Sequence, residues 1–354
     1  MIFMAKFYSI KVSEITQLTE ESVEIIFDIP DNLSEIFSYK SGQYITIEAE
    51  ILGESVRRAY SICSSMSENK LSIGVKKVKN GKMSTWLNDK VNIGDSLNLM
   101  PPNGNFLLNS KKDNNHFVGL CAGSGITPVL SMIKDSLYSQ ENSFFTLFYG
   151  NKTPETEMFK NDIEVLAKKY SKRFKLISFY SDKKIDGKIH GNIDVENLNK
   201  VFEEEKQLLS SDGFFICGPG DMIDNLSDCL KKMSISEDKI IFERFSSSVE
   251  KKEADSNLQS MSCNYTFIID DDEYECSEDS SNETVLDIAL KNDIDAPYSC
   301  KGAVCSTCKA KVISGKVEMT KNFSLSESEV EDGYILTCVS HHKSEDVTID
   351  FDVF

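Results

Sequence analysis

Four cysteines near the end of the chain restrict its fold and chemistry more than any other feature. Cys300, Cys305 and Cys308 are separated by four and then two residues, and Cys338 follows thirty positions later. Three thiolates on one tight loop can surround a small inorganic cluster, and this C-x4-C-x2-C…C spacing is one that binds [2Fe–2S]. A structural zinc site, the alternative, usually pairs C-x2-C with a second close pair. The spacing therefore predicts four cluster ligands, and Gly302 is expected to give the loop its backbone freedom.

Length and composition exclude several other classes. The 354 residues, 40% hydrophobic and 27% charged, have the balance of a globular protein with two or three domains. No apolar run approaches the roughly 18 residues that cross a bilayer, and the start lacks the apolar core of a signal peptide. Ten cysteines without an export signal favour metal or redox chemistry over disulfides. We expect a cytoplasmic protein with no membrane partner.

The formal net charge of −18 is unevenly distributed. Residues 263–354 hold 20 acidic and 7 basic side chains, a net of −13. Such a field repels phosphate backbones, so nucleic acid is not an expected partner. It favours approach to a basic patch on a partner protein. A solvated surface that only keeps the protein soluble is the alternative explanation.

The pattern of apolar residues divides the chain into segments. Residues 1–110 contain short strands between turn residues, with Val23, Ile25 and Phe27 alternating with polar neighbours, which predicts a small antiparallel β-barrel. Residues 111–248 alternate strand and helix patterns, which predicts an α/β domain with a parallel sheet. The stretch from 246 to 262 is polar, so we place a linker at 249–261 and a third domain at 262–354.

A basic–aromatic–hydroxyl string in the first segment suits a flat, phosphate-bearing cofactor. In Arg57-Arg58-Ala59-Tyr60-Ser61 a guanidinium can bind a pyrophosphate, an aromatic face can stack on a ring, and a hydroxyl can contact a ring nitrogen. A basic strand edge is the alternative. Gly81-Lys82-Met83-Ser84 precedes a helical stretch, where backbone N–H groups can bind phosphate.

A glycine-rich string in the second segment suits a dinucleotide. Gly123-Ser124-Gly125-Ile126-Thr127-Pro128 follows a predicted strand and opens a predicted helix, which is where dinucleotide phosphates bind. Pro128 departs from the G-x-G-x-x-G pattern, although proline is compatible with the first turn of a helix. An ordinary tight turn is the alternative interpretation.

Together these strings resemble the ferredoxin–NADP⁺ reductase superfamily over residues 5–248. Its R-x-Y-S flavin motif matches Arg58–Ser61, and its nicotinamide-side strings match residues 123–128, Cys217-Gly218-Pro219-Gly220-Asp221-Met222 and Glu243-Arg244-Phe245. The cysteine segment resembles the plant-type ferredoxin domain from about Ser262 onward. The resemblance implies a multidomain chain: a β-barrel flavin domain, an α/β nucleotide domain and a β-grasp (α+β) ferredoxin domain.

The resemblance also implies roles for individual residues. Arg58 would hold the flavin pyrophosphate, Tyr60 would pack on the flavin ring, and Ser84 would bind a flavin phosphate. Thr127 would lie beside the nicotinamide, and Phe245 would cover the other flavin face until nicotinamide displaces it.

Two further residues would act catalytically: Ser61 would face flavin N5, and Cys217 would lie beside the nicotinamide. The cofactor-binding residues implied are Arg58, Ala59, Tyr60, Ser61, Gly81, Met83, Ser84, Gly123, Gly125, Thr127, Pro128, Cys217, Gly218, Pro219 and Phe245.

The order of the three modules resembles that of bacterial oxygenase reductases, those of the phenylacetyl-CoA epoxidase type in particular. This implies an NAD(P)H-dependent enzyme that takes two electrons at once onto a flavin and passes them singly through [2Fe–2S] to a separate oxygenase. The flavin would be FAD rather than FMN. The alternatives are a reductase serving a Rieske oxygenase, demethylase or desaturase, and a redox-sensing protein. The complete set of nicotinamide-side strings argues against the redox sensor.

The choice of nicotinamide depends on the end of the second strand of the α/β segment. An NAD-selective site usually places an acid there, on the ribose 2′-hydroxyl, but Tyr149–Lys152 offers none before Glu155. Lys152, with Lys183 or Lys184, would instead suit a 2′-phosphate. The sequence therefore favours NADPH over NADH, with ordinary surface lysines as the alternative.

Overall fold

A computed structural model describes residues 6–108, 113–245, 262–279 and 282–353, so the linker predicted at 249–261 lies outside the described residues. The chain forms two compact units. The larger comprises residues 8–56 and 60–244; the smaller contains the segment from Phe245 onward with short pieces before Tyr8 and at residues 57–59. In the described ranges no helix has both the length and the apolar character needed to cross a membrane.

The first half of the larger unit is an antiparallel sheet that curls towards closure. Its elements are β1 (Tyr8–Thr19), β2 (Ser22–Asp28), β3 (Tyr44–Ile51), β4 (Glu54–Ser61), β5 (Leu71–Lys76), β6 (Ser96–Leu99) and the helix α1 (Lys82–Asp89). The strand order is β4-β3-β6-β1-β2-β5, and a bridge between Ile62 and Ile73 brings the two edges together. Val23, Ile25 and Phe27 are all buried in its core. The predicted antiparallel barrel is confirmed.

The second half of the larger unit is a parallel sheet flanked by helices. Its elements are β7 (His116–Ala122), α2 (Ile126–Ser139), β8 (Phe144–Asn151), α3 (Lys160–Lys169), β9 (Phe174–Tyr180), β10 (Ile189–His190), α4 (Val195–Glu204), β11 (Gly213–Cys217), α5 (Gly220–Lys232) and β12 (Ile240–Glu243). The order is β10-β9-β8-β7-β11-β12, with every pair parallel. Two apolar cores, one on each face, bury the sheet. The predicted α/β fold is confirmed.

Polar contacts fasten the barrel to α2 within the larger unit. The Ser131 hydroxyl donates a 2.5 Å hydrogen bond to the carbonyl of Ser64, and the buried Lys134 ammonium lies 3.1 Å from a Glu68 carboxylate oxygen. Because buried charges are stable only when they are paired, this ion pair holds α2 in one position against the barrel. The geometry between the two halves is therefore fixed by specific partners.

The smaller unit contains a mixed sheet around its own core. Its elements are β13 (Cys263–Ile269), β14 (Asp272–Glu278), α6 (Val285–Lys291), β15 (Lys309–Ser314), β16 (Val317–Met319), α7 (Glu327–Glu331), β17 (Tyr334–Leu336), β18 (Ser340–His342) and β19 (Asp346–Asp350). The five-stranded order is β14-β13-β19-β15-β17, with β13 and β19 parallel, and β16 pairs with β18. Four residues of α6 are buried against Phe267 and its neighbours. This is the predicted β-grasp arrangement.

A pair of glycines tests how strongly the barrel depends on close backbone contact. Gly42 and Gly94 have nearly the same φ, +98° and +93°, but a Cβ on Gly42 would lie 1.8 Å from the Phe106 carbonyl oxygen, whereas one on Gly94 would meet nothing within 4 Å. We expect Gly94→Ala to lower the free energy of unfolding by about 1–2 kcal/mol through backbone strain alone. Gly42→Ala should destabilise the protein considerably more. Thermal unfolding of both variants measures this, and equal losses would contradict the argument.

Candidate active site and cluster site

The order of strands in the parallel sheet reverses next to β7, and this reversal leaves a crevice of the kind that binds dinucleotides. From β7 the chain continues outward through β8, β9 and β10, and then returns to β11 on the other side of β7. Helices α2 and α5 begin just beyond the carboxyl ends of β7 and β11, and neither has a side-chain cap. Ligands of open α/β sheets bind at such a switch point, where uncapped helix N–H groups can meet phosphates.

Glycines bring the backbone close together at this crevice. A Cβ on Gly125 would lie 2.0 Å from the Cys217 carbonyl oxygen, and Gly123 has a φ of +54°. The Tyr149 hydroxyl donates a 3.2 Å hydrogen bond to the Gly123 carbonyl and supports the turn from below. Only glycine allows this approach, so the turn after β7 and the end of β11 form a cradle that matches a dinucleotide phosphate.

The other residues expected on the nicotinamide side lie at the same edge. Thr127 and Pro128 are buried in the first turn of α2, where the Thr127 hydroxyl donates to the Ser124 carbonyl at 3.0 Å. Gly218 and Pro219 connect β11 to α5, and Pro219 is exposed. The structure thus brings together all of these residues with Gly123, Gly125 and Cys217.

A side chain from the barrel reaches the end of the parallel sheet. The Ser61 hydroxyl, at the last position of β4, donates a 3.1 Å hydrogen bond to Glu243 Oε2 at the last position of β12. Cys217 is the β-ladder partner of Glu243. Ser61, Cys217 and Glu243 therefore form one cluster where the two halves meet.

Ser61 and Cys217 are buried and Glu243 is half-buried, and the acid and the thiol both favour their protonated forms. Burial raises the pKa of Glu243 to about 8, an effect that the Ser61 hydrogen bond partly offsets. Burial, reinforced by the nearby Glu243 carboxylate, raises the pKa of the fully buried Cys217 thiol well above its ordinary value. Cys217 is thus a neutral packing surface at pH 7, and Glu243 is the group that can hold or release a proton there.

The string expected to bind a flavin phosphate opens α1. Gly81 precedes the helix and provides no side-chain cap, while Met83 and Ser84 are buried in the first turn. The Ser84 hydroxyl accepts a 3.1 Å hydrogen bond from the Val78 N–H. The helix N–H groups at this turn remain available, which fits a phosphate group.

The remaining flavin string lies along β4. Tyr60 is half-buried against the barrel core. Arg58 is exposed, and its guanidinium donates a 2.7 Å hydrogen bond to the Arg57 carbonyl. Arg58, Ala59 and Phe245 all fall in the smaller unit, and Phe245 is 43% exposed.

Two residues at the active-site crevice were not assigned a role from the sequence. Glu243 belongs to a recognised string, but no residue pattern shows that it meets Ser61, 182 positions away. Lys76 ends β5, and its ammonium lies 3.8 Å from the position where a Cβ on Gly123 would stand. In the sequence, Lys76 is recognisable as a lysine at the end of a predicted barrel strand. Lysines at strand ends are too common for this position to identify a binding site.

The four predicted cluster ligands converge in the smaller unit. The Cys300 thiol interacts with those of Cys305 and Cys338, and the Cys308 thiol also interacts with that of Cys338. The N–H and hydroxyl of Thr337 both donate to the Cys308 carbonyl, at 3.1 and 3.0 Å, which ties the distant cysteine to the loop.

The backbone of the cysteine loop is shaped to face negative sulfur. Lys301, Ala303 and Ser306 adopt φ values of 47°, 65° and 56°. Left-handed residues in a tight loop turn neighbouring N–H groups inward, a geometry common at iron–sulfur sites. Gly302 was expected to supply this freedom, but its neighbours take the left-handed conformation instead. Gly302 contributes its N–H, which donates to the Cys300 sulfur at 3.3 Å.

The donors around the thiols fit a [2Fe–2S] cluster. The Ser299 hydroxyl is buried and has no hydrogen-bond partner among the residues that the structure describes, so it can donate to a cluster sulfur. Four thiols can ligate a two-iron cluster, and the N–H groups and this hydroxyl can donate hydrogen bonds to its sulfurs.

Comparison with protein families agrees with this geometry. The family model of the oxidoreductase FAD-binding domain matches residues 9–107, that of the oxidoreductase NAD-binding domain matches 120–228, and that of the 2Fe-2S iron-sulfur cluster binding domain matches 267–343. The chain thus carries an FAD domain, a nicotinamide-nucleotide domain and a [2Fe–2S] domain in that order.

Individual relatives resemble the chain over its whole length. It is 35% identical to one of the subunits of 1,2-phenylacetyl-CoA epoxidase from Escherichia coli, over 99% of each chain. It is 29% identical to the ferredoxin reductase component of 3-ketosteroid-9-alpha-monooxygenase from Rhodococcus rhodochrous, over 96% of this chain and 95% of that one. The solved structure of phthalate dioxygenase reductase covers 98% of both chains with a TM-score of 0.61 and 21% identity, which shows a shared fold.

The raised pKa of Glu243 predicts a pH dependence of stability. Between the ordinary value of 4.5 and about 8, the folded protein holds a proton that the unfolded chain has released. Stability from this group is therefore complete below pH 4.5 and lost as pH rises through 8. Compared with Glu243→Gln, the wild-type free energy of unfolding should fall across this window by about 1–3 kcal/mol.

Urea unfolding at a series of pH values measures this difference. Ser61→Ala is the matched comparison: it retains the carboxyl group, so the fall in stability should persist, and it should extend to higher pH because the hydrogen bond that lowers the pKa of Glu243 is lost. A difference between wild type and Glu243→Gln that does not vary with pH would contradict the prediction.

Proposed function

This chain belongs to the family of oxygenase reductase components that includes its relative from the 1,2-phenylacetyl-CoA epoxidase, and we propose that it delivers electrons from a nicotinamide nucleotide to a separate oxygenase of that epoxidase type. The observation that carries the proposal is the meeting of Ser61, Cys217 and Glu243 at a dinucleotide crevice, in a chain that also gathers four thiols. When bound, the flavin accepts electrons in a pair and the cluster passes them on singly.

The residues at the crevice would bind and orient the nucleotide. The cradle of Gly123 and Gly125 would hold the pyrophosphate, and the Lys76 ammonium beside it would add a positive charge. Thr127 and the neutral Cys217 would contact the nicotinamide. Gly218 and Pro219 would leave room for the nucleotide at the start of α5.

The barrel residues would position the flavin. Tyr60 would pack on the flavin ring, Ser61 Oγ would face its N5, and Arg58 with Ala59 would lie along the phosphates. Ser84, with the Met83 N–H nearby, would bind a phosphate at the start of α1, where Gly81 leaves the backbone accessible. Phe245 would cover the second face of the ring.

Ser61 and Glu243 would control a proton beside the flavin. The Ser61 hydroxyl donates to Glu243 Oε2, and because the pKa of Glu243 is raised to about 8, this carboxyl holds a proton near neutral pH. The pair can therefore share a proton at Ser61 Oγ without placing a full negative charge in the crevice.

The cluster would be held by Cys300, Cys305, Cys308 and Cys338. We place the domain boundaries at 1–110, 111–248 and 262–354, with the linker at 249–261. The net charge of −13 between residues 263 and 354 supports an oxygenase with a basic patch at its docking site.

A second candidate function is electron transfer to an oxygenase of another class. The 29% identity to the ferredoxin reductase component of 3-ketosteroid-9-alpha-monooxygenase, nearly as extensive in coverage, favours a monooxygenase other than the epoxidase as the acceptor. A Rieske oxygenase, demethylase or desaturase is the class of acceptor that the sequence offers as the alternative. Reconstituted turnover with a phenylacetyl-CoA epoxidase and with a 3-ketosteroid monooxygenase separates the two. Faster coupled turnover with the latter would overturn the epoxidase assignment.

Removal of one proposed cluster ligand should separate the two redox functions. In Cys305→Ser, loss of a thiolate should abolish or destabilise the cluster, so cytochrome c reduction should fall at least about tenfold. Ferricyanide reduction at the flavin should persist. Cys276→Ser is the matched control, because Cys276 is a half-buried thiol outside the motif. An equal loss of both activities in Cys305→Ser would refute the modular arrangement.

Coupled turnover with the oxygenase should weaken as salt is added. The Debye length falls from about 10 Å at 0.1 M salt to about 3 Å at 1 M, which screens attraction between an acidic domain and a basic patch. Ferricyanide reduction should change much less, and shortening residues 246–262 should slow only the coupled rate. If the coupled rate changes neither with salt nor with linker length, the acidic residues of the C-terminal domain serve solubility alone.

A further inference from the structure

The ends of β8 and β9 form one surface beside the nucleotide turn. The strand β8 neighbours β7, which leads into Gly123. After β9 the chain stays alongside β8: the Ser181 N–H donates to the Asn151 carbonyl at 3.1 Å, and the Asp182 N–H donates to the Lys152 carbonyl at 3.0 Å. Residues 151–155 and 181–184 therefore flank the place where the second strand of a dinucleotide fold meets the adenosine ribose.

The loop after β8 is held firmly. Glu157 is buried and accepts a 2.6 Å hydrogen bond from the Tyr180 hydroxyl at the end of β9. The Thr156 hydroxyl donates to the Thr153 carbonyl at 2.9 Å, and Phe159 is buried beyond it. The side chain of residue 155 consequently projects from a fixed backbone.

Lys183, one of the lysines that suit a 2′-phosphate in the sequence, already has a partner. Its ammonium lies 2.7 Å from Glu155 Oε1. This contact is the main reason why the pKa of Glu155 is lowered to about 2. A phosphate at this position would have to compete with a carboxylate that is ionised at every working pH.

Asp182 places a second carboxylate at the same surface. Its Oδ1 accepts a 2.6 Å hydrogen bond from the Ser181 hydroxyl. None of the ion pairs among the described residues includes Asp182. A carboxylate so placed can accept a hydrogen bond from a ribose hydroxyl, and it repels a doubly charged phosphate. Lys152 and Lys184 lie in the same two segments, so three lysines face two carboxylates there. With Lys183 paired to Glu155, Asp182 is the carboxylate that a ribose 2′-hydroxyl or a 2′-phosphate would meet.

We propose that Asp182, together with the pairing of Glu155 and Lys183, selects a nucleotide with a free ribose 2′-hydroxyl, so that NADH is the preferred electron donor. The proposal rests on the proposed function and adds a specificity-determining residue to it. It reverses the preference that the lysines suggested in the sequence, because Lys183 is paired with Glu155 and Asp182 adds an acid beside Lys152.

Binding of adenosine fragments to the holoprotein tests the proposal without turnover. Calorimetry should show that 5′-AMP binds at least as tightly as 2′,5′-ADP. Asp182→Asn should raise the affinity for 2′,5′-ADP and lower kcat/KM for NADH relative to NADPH by about tenfold in the ratio, equivalent to about 1.4 kcal/mol. Asp228→Asn is the matched control, because it removes the charge of an exposed aspartate on α5. It should leave unchanged both the affinity for 2′,5′-ADP and the ratio of kcat/KM for NADH to that for NADPH.

A second variant tests the ion pair. Glu155→Gln should release Lys183 and strengthen 2′,5′-ADP binding while flavin content stays unchanged. Preference of the wild type for NADPH and 2′,5′-ADP, with no response to Asp182→Asn, would overturn the proposal and leave the reductase function intact. Failure of both nucleotides to bind or to reduce the flavin would instead refute the proposed function.

Discussion

The absence of a side chain at position 125 is the constraint on which the active-site crevice depends. The turn after β7 lies so close to the Cys217 carbonyl that any Cβ would overlap it. This contact sets the distance between the two uncapped helices, and with it the place of Cys217 and its ladder partner Glu243. Because Ser61 meets Glu243, a barrel side chain lies next to this contact.

Within the smaller unit the backbone, more than any one side chain, shapes the cluster site. Three non-glycine residues of the cysteine loop accept left-handed conformations, which are individually unfavourable by about 1–3 kcal/mol. Such strain persists only where the surroundings compensate for it. Anchoring of the loop by Thr337 to the segment of Cys338 is part of that compensation.

Local patterns made the architecture predictable from the sequence. The alternation of Val23, Ile25 and Phe27 and the helical spacing from Ile126 onward describe short-range physics, and the spacing of the cysteines reflects the size of their cluster. The contact of Ser61 with Glu243 and that of Glu155 with Lys183 depend on how distant strands are brought side by side. Gly302 was expected to adopt the left-handed conformation, but Lys301 and Ala303 adopt it instead. The sequence could not show this, because closure of the whole loop determines which residues take a positive φ.

The acidity of the C-terminal domain has a thermodynamic consequence as well as a kinetic one. An electron that arrives there adds negative charge to a segment with an excess of thirteen acidic side chains. Coulomb repulsion therefore lowers the reduction potential of the site, and the N–H groups turned towards the thiols oppose that shift over a short range. The balance of these two fields sets how readily the domain gives its electron away.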